Sequence, residues 1–215
     1  MGIDTFFERW SREMAYVLGF FAADGSMFIN PRGSRYVAFY STDKNIVEKI
    51  KSVVGVKNII GIRKPREQMK KEAYVLQIGS KKIFNDIERL GISPNKSKVI
   101  QFPEVPKEYL SDFVRGYFDG DGNVTISEYH RKNRKSNYGR TMLAGFTSGS
   151  KAFLKGLQKR LADYAGLEGG TLYFANRAYR LYYSVRDSKK LYHFMYDNID
   201  NLPYLSRKKS IFERY

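Results

Sequence analysis

The sequence has 215 residues, with 38 Lys and Arg against 22 Asp and Glu, a net charge of +16, two histidines and no cysteine. Without cysteine there is no disulfide framework and no thiolate metal site, and chemistry built on several histidines has no residues to use. No apolar run reaches membrane-spanning length and no signal-peptide pattern opens the chain, so an intracellular protein is expected, in a compartment the sequence does not specify.

Phe6 stands where a myristoylation signal takes Ser or Thr, so Gly2 does not read as an acylation site. Split after Pro103, the chain holds 18 basic and 10 acidic residues, then 20 and 12, so each part carries +8. Charge spread this evenly, with 15% aromatic residues and a pI near 9.8, points to a nucleic-acid partner. A membrane surface fits less well, because no basic amphipathic helix stands apart from the core pattern.

In chain order, the first predicted element is a helix from about Glu13 to Ala23. Its apolar residues Met14, Ala15, Tyr16, Val17, Leu18, Phe20 and Phe21 run nearly all round it, so it is expected to be buried on several sides. Strands follow at Ser26–Asn30 and Tyr36–Ser41. A second helix places Ile46, Val47, Ile50, Val53 and Val54 at helical spacing and ends at Gly55. Strands at Val56–Arg63 and Ala73–Gly79 lead to a third helix starting at Ser80, a good N-cap. "QFPEVPKEY" (Gln101–Tyr109), with two prolines and exposed charge, predicts a linker.

The series then repeats. A helix from about Lys107 to Gly120 carries Leu110, Phe113, Val114, Tyr117 and Phe118. Strands are predicted at Asn123–Tyr129 and Thr141–Thr147. A helix with Phe153, Leu154, Leu157, Leu161 and Tyr164 ends at Gly166, strands follow at Gly170–Ala175 and Arg180–Arg186, and a last helix starts at Ser188. "VLGFFAADGSM" at Val17 and "VRGYFDGDGNV" at Val114 lie 97 positions apart, and three further segment pairs recur in the same order. Such recurrence marks a duplicated unit. The expected fold class is α+β, two pseudo-symmetric αββαββα repeats with antiparallel sheets, the first repeat spanning 1–103 and the second 104–215.

Gly19 and Gly116 sit inside the two first helices at a cost of about 1 kcal/mol each relative to Ala. Close packing of the two helices accounts for them: Gly19 is expected to face Gly116, and Ala22 and Ala23 to face Gly120. The helices would end side by side at Asp24 and Asp121, each followed by a glycine, Gly25 or Gly122, able to take a left-handed cap. A helix C-terminus disfavours an acid. Two acids meeting there call for a cation, and carboxylate and carbonyl oxygens suit Mg²⁺. "DGDGNVTISEYH" scans in part as a calcium loop, but Val124 takes its glycine position and His130 its final acid. An acid-x-Lys pattern, which would offer a different metal-dependent site on a strand, occurs only as Asp187-Ser188-Lys189, at a predicted helix start.

Val17-Leu18-Gly19-Phe20-Phe21-Ala22-Ala23-Asp24-Gly25 and Val114-Arg115-Gly116-Tyr117-Phe118-Asp119-Gly120-Asp121-Gly122 resemble the motifs of the LAGLIDADG homing endonucleases, in their single-chain form with two motifs. The resemblance covers nearly the whole chain. It implies two saddle-shaped antiparallel sheets lying in the DNA major groove, packed through the two motif helices. It also implies an intron-encoded monomer that cleaves both strands of a long, asymmetric duplex target across the minor groove, leaving short 3′ overhangs by metal-dependent phosphodiester hydrolysis. Mg²⁺ is the implied cofactor, with Mn²⁺ substituting and Ca²⁺ supporting binding without cleavage.

The resemblance assigns the metal to Asp24 and Asp121 with the carbonyls of Ala23 and Gly120. Lys96 in "NKS" and Lys208 in "RKK" match basic residues beside the scissile phosphate, with Lys209 the alternative to Lys208. Asp119 has Ala22 as its counterpart and reads as structural or peripheral. Asp43 matches a water-positioning residue whose second-copy place falls on Gly149, flanked by Ser148 and Ser150. Base-reading candidates are Asn30, Arg32, Arg35, Tyr36, Arg63, Arg66, Gln77, Arg131, Arg134, Asn137, Arg140, Arg177, Arg180, Tyr182 and Arg186, of which roughly half are expected to touch phosphate. The alternative is a non-cutting relative, an RNA maturase or a DNA-binding regulator. A regulator would be free to lose Asp24 or Asp121, and both are present. No protein-splicing domain surrounds the unit, so a free-standing enzyme is expected.

Overall fold

The computed structural model describes residues 5–64, 72–94, 99–130 and 138–215. The elements run α1 (Arg12–Asp24), β1 (Gly25–Ile29), β2 (Arg35–Ser41), α2 (Lys44–Val54), β3 (Ile60–Arg63), β4 (Ala73–Gly79) and α3 (Lys81–Arg89). A 3-10 turn (Lys107–Tyr109) then leads into α4 (Leu110–Asp121), β5 (Gly122–His130), β6 (Tyr138–Ser148), α5 (Lys151–Ala165), β7 (Thr171–Ala175), β8 (Ala178–Tyr183), α6 (Val185–Tyr196) and α7 (Ser206–Glu213). Two four-stranded antiparallel sheets result, ordered β1-β2-β4-β3 and β5-β6-β8-β7. Their registers agree: Gly25 pairs with Phe39 and Phe39 with Leu76, as Gly122 pairs with Phe146 and Phe146 with Leu181. Among the described residues no helix is long and apolar enough to cross a membrane.

Strand alternation sorts each sheet into two faces. Met27, Val37, Phe39, Leu76 and Ile78 are buried on the helix side of the first sheet, and Val124, Ala144, Phe146, Leu181 and Tyr183 on that of the second. Both sets join one continuous apolar core that also takes in α1 and α4. Ser11 caps α1, its hydroxyl accepting from Met14 N–H, and Glu13 favours the positive end of the helix dipole. Every residue from Met14 to Ala22 is buried, because α1 lies between its own sheet and α4.

The two helices touch through backbone. A Cβ built on Gly19 would lie 2.0 Å from the Phe113 carbonyl oxygen, and one on Gly116 would lie 2.0 Å from that of Tyr16. Each glycine therefore lies against main chain that flanks the other, its added Cβ also falling 3.0 Å from Tyr117 N or 2.9 Å from Phe20 N, the atoms next to the opposite glycine. Gly120 meets Ala23 as expected, its added Cβ falling 2.5 Å from the Ala23 Cβ. Gly25 and Gly122 depart from expectation: at φ −93° and −84° both are extended, and each helix runs directly into a strand. Their small size is what matters, since a Cβ would strike the ring of Phe21 or Phe118 at 2.2 or 2.3 Å.

The second repeat diverges at its third helix. The strand predicted to run to Arg186 ends at Tyr183 and α6 begins at Val185, one turn before Ser188. Ser188 is buried inside α6, its hydroxyl donating to the Tyr183 carbonyl and accepting from Ala144 N–H. Asp187 accepts from Gly169 N–H at 2.7 Å and so fastens the loop before β7. The strand predicted from Val56 starts only at Ile60. The linker is not free: Pro103 and Val105 are buried, and Phe102 packs on Phe113 and Phe153. The tail "LSRKKSIFERY" forms α7, a helix the repeat pattern did not include.

The stripe Asp112, Arg115, Asp119 of α4 occupies places filled by Ala15, Leu18 and Ala22 in α1, and all three polar residues are buried. The Arg115 guanidinium donates to Asp112 Oδ1 at 2.7 Å, to the Met195 carbonyl at 3.0 Å and to the Pro203 carbonyl at 3.2 Å. Asp112 also accepts from Arg12. Asp119 Oδ2 accepts from the Tyr16 hydroxyl at 2.7 Å and from Leu205 N–H at 2.8 Å, which ties α1, α4 and the start of α7 together. Burial pushes the Asp119 carboxyl up to about 6, against opposing pulls from Tyr16 and Lys208.

Two stability tests follow from this packing. Gly19→Ala or Gly116→Ala should cost about 3 kcal/mol or more, the upper part of the overpacking range, and lower the melting temperature by roughly 6–12 °C. An unchanged melting temperature would mean that the helices do not meet as described. Asp119→Ala should lose about 2–4 kcal/mol because two buried donors lose their acceptor. Asp119→Asn should be at least as stable as the parent at pH 7.5, since its amide oxygen keeps both donors and a buried charge is gone. The folded parent holds the Asp119 proton more tightly than the unfolded chain, so it gains stability as pH falls from about 6 toward 3.8. The gap between the Asn variant and the parent should therefore narrow over that window in urea titrations; a constant gap would count against the buried carboxylate.

Candidate active site

Because α1 and α4 pass straight into β1 and β5, each delivers its last residue, Asp24 or Asp121, to the seam between the two sheets. Both side chains are half-buried. A Cβ on Gly120 would come within 3.3 Å of Asp24 Oδ2, so the missing side chain keeps open the space between the end of α4 and the Asp24 carboxylate. Tyr117, whose hydroxyl donates to the Thr147 carbonyl at 2.8 Å, lies within reach of both acids. Burial first, then Asp121 and Asp24, push its hydroxyl well above the ordinary tyrosine range.

Lys208 reaches this seam from α7. Its ammonium donates to the carbonyls of Phe118 at 2.6 Å, Gly122 at 2.7 Å, Asp119 at 2.9 Å and Gly120 at 3.1 Å. Burial lowers its pKa to about 8, Asp119 opposes that shift, Arg207 adds to it, and Asp24 and Asp121 oppose it. Lys209 points elsewhere, pairing with Glu213 over the Tyr192 ring. Of the two adjacent lysines, Lys208 is the one at the helix end. Lys96, with Arg66, Arg131, Arg134 and Asn137, lies outside the described residues.

Among the described residues no three His, Asp or Glu side chains cluster as a metal site. A divalent cation here would rest on Asp24 and Asp121 with main-chain carbonyls such as those of Ala23 and Gly120. That donor set is all oxygen and doubly negative, set at the negative ends of two helix dipoles, and it fits a hard cation such as Mg²⁺.

Asp43 is the N-cap of α2, its carboxylate accepting from Asn45 N–H at 3.1 Å, while its own N–H donates to Ser41 Oγ. Ser150 caps α5 in the same way, and its N–H donates to Ser148 Oγ. The sheet registers therefore match Asp43 with Ser150, not with Gly149. Asp43 also faces Arg207 at 3.8 Å, and Lys49 donates to the Tyr204 carbonyl, so the end of the second repeat crosses onto the first.

The helix-free faces carry some of the base-reading candidates and not others. Tyr36, Gln77 and Arg63 lie on that face of the first sheet, with Tyr36 stacked on Phe28 at 5.2 Å. Arg180 and Tyr182 lie on that of the second. Arg35 turns to the opposite face, where it bonds Asn85 and covers the Phe84 ring. Arg140 likewise faces the C-terminal segment, donating to the Arg214 carbonyl over the Tyr215 ring. Arg186 belongs to the first turn of α6 and pairs with Glu168. The Asn30 side chain shapes its own hairpin, accepting from Arg32 and Ser34 N–H groups, and leaves Arg32 exposed at the turn.

Sequence reasoning passed over Ser26, Tyr40, Asn123, Thr125 and Tyr173, all on the helix-free faces by register. Asn123 donates to the Tyr182 hydroxyl at 3.3 Å, and Tyr173 stacks on the same ring. Alternation counted from the motif glycines would have found them.

A family model described as LAGLIDADG endonuclease matches residues 114–215, and one described as LAGLIDADG-like domain matches residues 11–96. Curated relatives come from Methanocaldococcus jannaschii. The uncharacterized protein MJ0398 is 26% identical over 125 residues, 57% of this chain and 43% of that one. RNA polymerase subunit Rpo1C is 26% identical over 71% of this chain and 16% of its own length, and probable translation initiation factor IF-2 is 27% identical over 71% and 12%. The chain thus spans less than half the length of these relatives. The LAGLIDADG meganucleases I-CpaMI and I-AabMI, each solved with uncleaved DNA, share the fold at TM-scores of 0.63 and 0.62, with 15% and 14% identity, covering 95% of this chain and 89% and 88% of theirs. A variant of the homing endonuclease I-DmoI aligns over the full length of both chains at TM-score 0.61 and 16% identity. With one motif model on each repeat and the two-sheet fold between them, the chain belongs to the LAGLIDADG endonuclease family, in the form that carries both motifs on one chain.

Proposed function

We propose that the chain is a monomeric, intron-encoded homing endonuclease that cuts both strands of a long, asymmetric duplex DNA target by Mg²⁺-dependent phosphodiester hydrolysis, leaving short 3′ overhangs. The observation that carries this reading is the convergence of Asp24 and Asp121 at the seam between two sheets, on a chain of net charge +16. The two helix-free faces offer the duplex a surface with polar and aromatic side chains, among them Tyr36, Gln77, Arg180 and Tyr182. Surrounding positive charge draws the backbone in and gives binding a steep salt dependence.

On this reading Asp24 and Asp121, with the carbonyls of Ala23 and Gly120, would hold the cation. A bound divalent ion supplies acidity to a water molecule and neutralises charge developing on phosphate oxygens. Lys208, and Lys96 in the other repeat, add fixed positive charge at the scissile phosphates. Asp43 and Ser150 act as the N-caps of α2 and α5. Asp119 sets the start of α7 and thereby Lys208. Mn²⁺ is expected to replace Mg²⁺, and Ca²⁺ to support binding alone.

The target is to be found by selecting cleaved sites from a randomised duplex library with Mg²⁺. On that site, Asp24→Asn and Asp121→Asn should each nearly abolish linear product while binding in Ca²⁺ is kept or tightened, because each removes a negative group near phosphate. Asp119→Asn should keep substantial cutting. Linear product at the parent rate from either of the first two would sink the mechanism. Loss of cutting in a folded Asp119→Asn would reassign the second acid.

Arg177 gives a further test. With Asn176 it forms the two-residue β7–β8 turn, at φ +63° and +51°, a conformation in which glycine is the ordinary choice. Arg177→Gly should raise stability by about 1 kcal/mol while weakening DNA binding and reducing the salt slope by about one. Unchanged DNA affinity would remove Arg177 from the interface.

A further inference from the structure

A buried ammonium ordinarily sits against a carboxylate. Lys208, 5% exposed, sits instead among four main-chain carbonyls, those of Phe118, Asp119, Gly120 and Gly122, at 2.6 to 3.1 Å. Three of these belong to the last turn of α4, where helical donors run out; the Phe118 carbonyl also accepts from Gly122 N–H. The position is also fixed from behind. Asp119 Oδ2 binds Leu205 N–H, the Leu205 carbonyl accepts from Lys208 N–H at 3.0 Å, and the ammonium lies 5.4 Å from the Phe118 ring centre. The positive charge at the end of α4 is therefore part of the chain, held by a shell of hard oxygens that a free cation would also use.

We infer that Lys208 is a tethered cation that closes the end of α4 in the metal-free protein, and that a divalent ion must take the Gly120 carbonyl from it. This rests on the metal-dependent reading of Asp24 and Asp121. The ammonium offsets the negative end of α4 and the charges of Asp119 and Asp121 before any metal arrives. An incoming ion meets a site that already holds one positive charge, which weakens metal binding in the free protein. Once Gly120 is given up, the ammonium remains close to the seam and is available to a phosphate.

The test is thermal unfolding of the full chain and of Lys208→Met, without DNA, over a range of Mg²⁺ and Mn²⁺ concentrations. Metal-free Lys208→Met should melt below the parent, and added metal should raise its melting temperature more than it raises the parent's. An apparent affinity gain of about tenfold adds about 1.4 kcal/mol of metal-dependent stability, or roughly 3–6 °C. An equal or smaller rise in the variant overturns the inference. Should Lys208→Met fail to fold, acetylation of the parent's lysines followed by mass spectrometry decides. Lys208 should react slowly without metal and faster with it, and a rate that metal leaves unchanged overturns the inference. A parent that cuts DNA with Mg²⁺ while showing equal shifts loses only the inference. A parent that neither responds to metal nor cuts loses the nuclease reading as well.

Discussion

Two helix C-termini that each end in an aspartate cannot lie side by side unless something offsets their negative ends. The backbone contact of α1 and α4 through Gly19 and Gly116 brings those ends together, and much of the molecule can be traced to that requirement. It explains why the last turn of α4 is bound by the ammonium of Lys208 from a helix outside the repeat pattern. It explains why the residues flanking the acids are small, since a side chain at Gly120 would fill the space beside Asp24. The direct passage of each helix into a strand follows as well. With Gly25 and Gly122 extended, the carboxylates sit where the sheets begin rather than on a loop, and the rigidity of the sheets is passed on to them.

The two repeats meet this requirement with different interiors. In α1 the face away from the seam is apolar, with Ala15, Leu18 and Ala22. In α4 the same places hold Asp112, Arg115 and Asp119, all buried. Replacing such a cluster by apolar residues is often neutral or stabilising, so stability alone does not account for it. Its partners offer another reason. Arg115 binds the carbonyls of Met195, in the last turn of α6, and Pro203, and Asp119 binds the N–H of Leu205, so the cluster ties the end of α6 to the irregular stretch before α7 and gives that buried backbone hydrogen bonds it needs. One polar stripe thus fixes the segment from which Lys208 departs. The first repeat's tail instead crosses to the second as Phe102, packed by apolar contact against α5.

Much of this fold was legible in the sequence because duplication doubles every signal. A glycine after an amphipathic run is weak by itself, but Gly55 and Gly166 both end helices in the left-handed conformation. What failed to transfer was register. "GSKK" and "DSKK" look alike, yet the first caps a helix with Ser80 while in the second Ser188 is an internal serine bonded to strand backbone. The similarity is local and the capping role depends on where the strand ends, which the sheet decides. The same limit applies to the interface candidates. Arg35 and Arg140 are basic, near hairpins and in strands, but their parity sends them to the helix side. Strand parity is legible only once a core residue in that strand has been fixed, and Val37 and Met142 fix it here. Arg115 gave no signal of burial, because an arginine within a helix ordinarily reads as surface.

The likeness of the two repeats is closest where the chain must be symmetric and falls away with distance from the seam. Beside it, Phe39 and Phe146, Leu76 and Leu181, and the paired caps Asp43 and Ser150 coincide position by position. Farther out, β1 and β2 span five and seven residues where β5 and β6 span nine and eleven. The helix-free faces differ in kind as well as length. The first stacks Phe28 on Tyr36, whereas the second places Tyr173 on Tyr182, with Gly145 beside it leaving room for that ring. A seam that must present two equivalent acids constrains both repeats alike, while a surface that meets a partner is free to diverge. On the proposed reading the partner is then an asymmetric duplex, read by two unequal faces and acted on at a junction that stayed nearly equal.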